Sequence, residues 1–143
     1  MKPTEIDVQL KHSVFNPGLP PSDPSNKVQV RPETDDTYYY RVFLYVDGYE
    51  LPYVESVTYT LDDSFPNPEQ IVRRTPANPI CQLVVWTWKE LFTVVATIVD
   101  KKGNSYRITH DVSYVSELPQ AEDRYEFVEA ESQSVARPTL VSA

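Results

Sequence analysis

The stretch LFTVVATIVDKKGNSYRITHDVSY, residues 91–114, decides the fold of this protein. Its first part, residues 91–99, carries apolar side chains on both faces, as a strand in the middle of a sandwich does. The sequence DKKGN at residues 100–104 has the composition of a hairpin turn. In residues 105–114 apolar and polar side chains alternate with the period of two that a half-buried strand requires. The stretch therefore predicts two antiparallel strands joined by a tight turn.

Further strands are predicted upstream of this hairpin, because apolar residues alternate there as well. The predicted segments are residues 6–11, 27–30, 37–46, 57–61 and 80–85. Between them lie turn signals, among them the Pro-rich and Ser-rich residues 13–26 and the sequence DDSFPNPEQ at residues 62–70. No stretch has a convincing helical period. The pattern predicts an all-β fold, an immunoglobulin-like β-sandwich of about seven to eight antiparallel strands in two packed sheets.

The length of 143 residues suits one domain followed by an irregular tail. We expect the domain to cover residues 1–116. Residues 117–143 are then an acidic and partly disordered tail, because the acidic segment 117–131 has a poor helical pattern and the final residues are polar.

The charge balance limits the classes of partner. A net charge of −8 disfavours nucleic acid and anionic membrane surfaces, since both require a basic footprint. It is compatible with a basic partner, although acidity also simply keeps a domain soluble. No apolar run approaches the roughly 20 residues of a membrane span, and the first ten residues lack the apolar stretch of a signal peptide. Cys81 is the single cysteine, so we expect a reducing compartment and a cytoplasmic location.

Catalytic and metal-binding constellations are not predicted. His12, His110 and Cys81 do not have the spacing of a zinc site. The sequence has no glycine-rich phosphate loop. Asp62 and Asp63 are adjacent, and neighbours in an extended chain point to opposite faces, so a shared acid–base role is not expected. The prediction is a protein without enzymatic activity, metal or cofactor.

Two short motifs carry the functional information. The first is LDDSFPNP at residues 61–68, and the second is WTWKEL at residues 86–91. In order and spacing they resemble the two pocket motifs of the YEATS domain family, most closely its prokaryotic branch. The preceding YYYRVFLYVDGYELPYVESVTY at residues 38–59 is similar to the early strands of that family. The resemblance covers roughly residues 4–115.

The resemblance implies a non-catalytic reader of acylated lysine, with a pocket built by loops at one end of the sandwich. It implies that the rings of Phe65 and Trp88 hold a flat acyl chain between them. The Ser64 hydroxyl would bind the acyl amide N–H, and the backbone N–H of Trp88 would bind the acyl carbonyl. Asp62, Trp86 and Thr87 complete the expected ligand-binding set. The implied partner is an acylated protein or peptide.

The sequence departs from the family pattern at four positions. Asp62 stands where the family commonly has His, Thr87 and Lys89 stand where it has Gly, and Leu91 stands where it has Phe. Because glycine permits close backbone approach, side chains at the two glycine positions can narrow the channel.

An alternative interpretation follows from these departures. Phe65 would then plug the end of the sandwich, and one of the two tryptophans would be the buried core aromatic that such sandwiches use. The chain would be a structural or assembly module that binds another protein in a prokaryotic conflict or signalling system, with the acyl pocket altered.

Overall fold

The computed structural model describes residues 5–32, 37–88 and 91–128, which form two β-sheets. The strands are β1 Gln9–Ser13, β2 Val28–Pro32, β3 Tyr38–Asp47, β4 Val54–Thr60, β5 Glu69–Arg73, β6 Leu83–Thr87, β7 Leu91–Asp100, β8 Ser105–Ser113 and β9 Tyr125–Phe127. Three short 3₁₀ turns lie at Leu51–Tyr53, Val115–Glu117 and Glu122–Arg124. The described residues contain no α-helix, and hence no helix long and apolar enough to cross a membrane.

The first sheet is organised around β3. Phe43 and Leu44 pair with both β1 and β6, and Tyr40 pairs with both β2 and β6. Because a strand has only two edges, β6 occupies one edge of β3, and β1 and β2 follow each other along the opposite edge. The short strand β9 then pairs in parallel with β2.

The second sheet has the strand order β5-β4-β7-β8, with every pair antiparallel. Its β7–β8 hairpin confirms the prediction for residues 91–114, with Leu91 opposite Ser113 and Val99 opposite Ser105. In the turn, the Asp100 carboxylate accepts hydrogen bonds from the backbone N–H groups of Lys102 and Asn104, both at 2.9 Å. Gly103 completes the turn with a φ of 88°, which other residues rarely adopt.

The core lies between the two sheets and is filled by residues at alternate positions along the strands, whose side chains face inward. From the central strands these are Val42, Leu44 and Val46 of β3 and Val94, Ala96 and Ile98 of β7. Tyr59 of β4 is also fully buried, and its hydroxyl donates a 2.6 Å hydrogen bond to the Cys81 carbonyl. Burial of this hydroxyl raises the pKa of Tyr59 far above its ordinary value. The predicted all-β, immunoglobulin-like sandwich is therefore confirmed.

Three details differ from the sequence prediction. Strand β6 begins at Leu83 and not at residue 80, because Cys81 has a left-handed backbone with a φ of 49° that interrupts the extended chain. Strand β5 was missed, since the two prolines before it suggested a continuous loop. Strand β9 lies within the predicted tail and consists of three residues, too few for an alternating pattern. Residues 129–143 of that tail lie outside the described residues.

The strand directions place two loops at the same end of the sandwich. Strand β4 ends at Thr60, opposite Val95 in the first half of the antiparallel strand β7. Strand β6 ends at Thr87, opposite Tyr40 near the start of β3. The loop at residues 61–68 and the chain after Thr87 therefore emerge at one pole, and the β3–β4 connection and the β7–β8 turn lie at the other.

Candidate ligand-binding site

A cavity of about 380 Å³ opens at the pole where β4 and β6 end. The β4–β5 loop contributes Ser64 and Phe65 to its wall, β6 and the position after it contribute Trp86 and Trp88, and the paired strands β2 and β3 contribute Arg31 and Tyr39. The structure thus brings together four of the predicted site residues.

The β4–β5 loop is closed by its own hydrogen bonds. The Leu61 N–H donates to the Pro68 carbonyl at 2.6 Å, and the Phe65 N–H donates to the Asp62 carbonyl at 3.2 Å. These bonds hold the Phe65 ring in the core, where it is 4 % exposed and packs on Phe92 with a centroid separation of 5.1 Å. The buried ring anchors the loop and leaves Ser64 at the surface.

Asp62 orients Ser64. The Asp62 carboxylate accepts hydrogen bonds from the Ser64 backbone N–H, at 2.9 Å, and from the Ser64 hydroxyl. This is an Asx turn, in which an aspartate side chain bonds the backbone two residues on. Because the hydroxyl proton points to the carboxylate, the Ser64 oxygen presents its lone pairs as hydrogen-bond acceptors. Such an oxygen suits an amide N–H. Asp62 itself is not part of the cavity wall.

The aromatic rings form a continuous series. Tyr39 contacts Trp88 at a centroid distance of 5.4 Å, and Trp88 contacts Phe65 at 6.4 Å with the ring planes inclined by 41°. A flat group held between two parallel rings requires a separation of about 7 Å. The rings of Phe65 and Trp88 are closer than this and not parallel. A flat ligand therefore enters between them only if Trp88 turns, or else it stacks on the outer face of Trp88, which is 41 % exposed.

Strand β6 separates its aromatic side chains from Thr87. Trp86 and Trp88 lie on the outer side of β6, as expected for residues two apart in an extended chain. Thr87 between them is fully buried on the core side and is not part of the cavity wall, so its side chain does not narrow the cavity. Lys89, the other residue at a family glycine position, lies outside the described residues.

Arg31 and Tyr39 are wall residues that the sequence did not reveal. They are directly opposite each other in the β2–β3 pair. The Arg31 guanidinium lies over the Trp86 ring, with Cζ 4.9 Å from the centroid, and over the Tyr39 ring at 5.5 Å. The alternation of β3, with Tyr40 inward and Tyr39 outward, was a usable signal for Tyr39. No motif marked Arg31.

The wall of this cavity carries little charge. Among the described residues that line the cavity, Arg31 supplies the single formal charge, and Ser64 contacts a carboxylate and not an imidazole. Nowhere in residues 5–32, 37–88 and 91–128 do three or more His, Cys, Asp or Glu side chains gather closely enough to hold a metal ion.

A larger cavity, about 770 Å³, lies at the opposite pole. It is bordered by the exposed rings of Tyr49 and Tyr53 and by charged residues of both signs, including Glu50 and Lys101. It contains no residue of the predicted site. Its wall also includes the buried Tyr106, whose hydroxyl donates a 2.9 Å hydrogen bond to Asp100, but no residue of the two sequence motifs.

A model of the prokaryotic YEATS domain family matches residues 40–113. The matched segment runs from β3 to the end of β8 and includes both cavity-forming motifs, whereas Arg31 and Tyr39 precede it. A comparison with curated proteins finds no match.

Proposed function

The chain belongs to the prokaryotic YEATS domain family, and on that premise we propose that it is a non-catalytic module that binds an acylated lysine on a partner protein or peptide. One observation carries the proposal. The Ser64-Phe65 loop and Trp88, which are distant in the sequence, line the same cavity.

The acyl amide is bound by Ser64. Acylation removes the charge of lysine and leaves a planar amide with an apolar tail. The Ser64 oxygen, whose proton is directed to Asp62, accepts the hydrogen bond of the amide N–H. A neutral hydrogen bond of this kind contributes about 0.5–1.5 kcal/mol net. The backbone N–H of Trp88 is the proposed donor to the acyl carbonyl.

The acyl chain stacks on Trp88. The buried Phe65 ring and the Tyr39 ring both contact the tryptophan and support it from below. A stacking contact of this type adds about 0.5–1.5 kcal/mol beyond the burial of area. Together these contacts suggest micromolar to millimolar affinity, about −4 to −8 kcal/mol.

A second candidate function is a structural or assembly module that contacts another protein. The direct contact between the Phe65 and Trp88 rings favours it, because that contact leaves no parallel slot. The exposed apolar side chains of Ile71 and Leu91, 69 % and 62 % exposed, offer a surface for such a partner.

The two functions are separated by titrating peptides of one sequence that carry acetyl-, crotonyl- or unmodified lysine. The reader function requires saturable binding of the acylated forms alone, with weaker binding in Trp88→Ala and Ser64→Ala. Tyr49→Ala, at the opposite pole and 86 % exposed in the native protein, is the matched control and should bind normally. Equal binding of all three peptides, or no binding, contradicts the reader function and leaves the assembly module.

A further inference from the structure

Strand β5 is an edge strand of the second sheet. Strand β4 pairs with one side of it, and among the described residues no strand pairs with the other side. An open edge presents unpaired N–H and C=O groups, to which a further strand can bond. Proline and charged residues usually protect such an edge. Strand β5 contains no proline, and its charged residues, Glu69 and Arg73, stand at its two ends.

The hydrogen-bond register shows which residues of β5 face the open side. Just before the strand, the Leu61 N–H donates to the Pro68 carbonyl at 2.6 Å, and just after it the Arg74 N–H donates to the Glu55 carbonyl at 3.0 Å. In an antiparallel pair, residues that bond the neighbouring strand alternate with residues that do not. The even-numbered residues of β5 therefore bond β4, and the odd-numbered residues direct their N–H and C=O groups to the open edge. These odd-numbered residues are Glu69, Ile71 and Arg73.

The side chains of the same three residues lie on the solvent side of the sheet. All three are exposed, whereas Gln70 and Val72 between them are half-buried. The Arg73 guanidinium contacts Glu55 at 3.4 Å, but the Arg73 side chain remains 71 % exposed, and a guanidinium has further N–H donors. An apolar side chain thus occupies the centre of the edge, with an acidic residue on one side and a basic residue on the other.

This order of residues is complementary to itself in one arrangement. When two copies of β5 pair antiparallel about Ile71, Glu69 of each copy lies opposite Arg73 of the other, and the two Ile71 side chains lie opposite each other. Each opposed pair then exchanges both of its N–H···O bonds, because the backbone groups of these residues face the open edge. Opposite charges and apolar side chains across a strand pair are stabilising. A parallel pairing in register is disfavoured, since it places like charges opposite each other.

We infer that the open edge of β5 is a self-association surface, on which a second copy of this chain adds its own β5. The two four-stranded sheets then become one continuous sheet with a two-fold axis through Ile71. A strand of five residues gives a small interface, so we expect a weak dimer with a Kd between about 10 µM and 1 mM. The inference does not depend on the binding of acyl-lysine.

This pairing also sets the direction in which the ligand cavities open. Strand β5 begins at the pole of the proposed acyl-lysine cavity, and Gln70 is part of the cavity wall. In an antiparallel pair the first residues of the two strands lie at opposite ends. The dimer therefore presents its two cavities in opposite directions.

Sedimentation velocity over a range of protein concentrations tests the surface. The native protein should change from monomer to dimer as its concentration rises. Arg73→Glu places like charges opposite each other and should weaken dimerisation about tenfold. The double variant Glu69→Arg/Arg73→Glu exchanges the two charges and should restore it. Arg107→Glu is the matched control and should dimerise like the native protein, because it makes the same charge change on β8, at the other edge of the same sheet.

Ile71→Pro tests the backbone of this edge. The substitution removes an N–H that is directed away from β4, and proline is tolerated on an edge strand in that position. The variant should therefore keep the circular dichroism spectrum of the native protein and lose dimerisation. If Ile71→Pro does not fold, the charge variants still decide the question.

Two results would overturn the inference. One is a native protein that stays monomeric at every concentration. The other is a dimer that Arg73→Glu leaves unchanged, or that the exchange of the two charges fails to restore. Neither result bears on the reader function, which the peptide titration decides separately.

Discussion

His12 of β1 and His110 of β8 are joined by a hydrogen bond that links the edges of the two sheets, with His12 Nδ1 2.8 Å from His110 Nε2. The other nitrogen of His12 lies 3.0 Å from a carboxylate oxygen of Glu117, in the 3₁₀ turn after β8. A bond between two imidazole nitrogens requires one of them to be unprotonated. The pair therefore depends on at least one neutral ring.

We predict that acid weakens the fold through His110. Burial and the neighbouring His12 lower the pKa of His110 below 6.5, and the opposing effects of Asp111 and Glu117 are smaller. Between that lowered pKa and 6.5 the unfolded chain binds more protons than the native one, so the free energy of unfolding falls as the pH drops through this window. Urea denaturation from pH 7.5 to 5 measures the effect.

His110→Gln provides the comparison for this pH dependence. It should lower the free energy of unfolding at pH 7.5, because the bond to His12 is altered, and it should flatten the decline between pH 6.5 and 5. An unchanged slope in this variant would show that other groups carry the acid sensitivity.

We predict that Asp62→Ala weakens acyl-lysine binding without unfolding the protein. The substitution removes the acceptor that orients the Ser64 hydroxyl and holds its backbone N–H. The loss of one oriented neutral hydrogen bond corresponds to a decrease in affinity of about threefold to tenfold. Isothermal titration with a crotonyl-lysine peptide measures it. Asp63→Ala, one position along the same loop, should have no effect, and equal losses in both variants would contradict the role of Asp62.

We predict that Gly48→Ala destabilises the protein strongly. Gly48 has a φ of 153°, and a Cβ atom there would lie 2.3 Å from the carbonyl oxygen of Asp7, a backbone atom that cannot move aside. Gly103→Ala is the informative comparison, since Gly103 has a φ of 88° but no atom within 4 Å of the added Cβ. Its cost is the backbone strain alone, about 1–2 kcal/mol. In thermal unfolding, the melting temperature of Gly48→Ala should be lower than that of Gly103→Ala. The reverse order would contradict the close approach to Asp7.

We predict that Cys81 is unreactive in the native protein. The side chain is fully buried, and burial raises the pKa of the thiol to about 11, despite the opposing effect of Arg74. The thiolate, which is the reactive form, is therefore scarce and inaccessible. A thiol reagent such as DTNB at pH 8 should label Cys81 in urea but not in native buffer. Rapid labelling of the native protein would show that the segment around Cys81 opens.

The sequence predicts those parts of the fold that depend on local alternation. The hairpin of residues 91–114 is of this kind, because the polarity of each residue indicates whether its side chain faces the core or the solvent. The late start of β6 was not predictable, since the left-handed backbone of Cys81 is set by its surroundings and not by the residue type. Strand β9 was not predictable for a related reason, because it forms by pairing with β2, which is distant in the sequence.

The candidate site was likewise predictable only in part. The convergence of the Ser64-Phe65 loop with Trp88 was expected from the two motifs and their order. The inclination of the Phe65 and Trp88 rings depends on side-chain torsions, which no sequence pattern specifies. Arg31 joins the site only because β2 lies beside β3, a pairing between segments with a loop between them.

Two different strands, β1 and β2, pair with successive parts of one edge of β3, so the two parts of this edge can separate independently. Because β1 and β2 hold separate portions of that edge, a force applied to the N-terminus can peel β1 away while the rungs between β2 and β3 remain closed. The hydrogen bond between His12 and His110 then opposes the detachment of β1. The Arg31-Tyr39 rung, and with it the wall of the cavity, would survive that detachment.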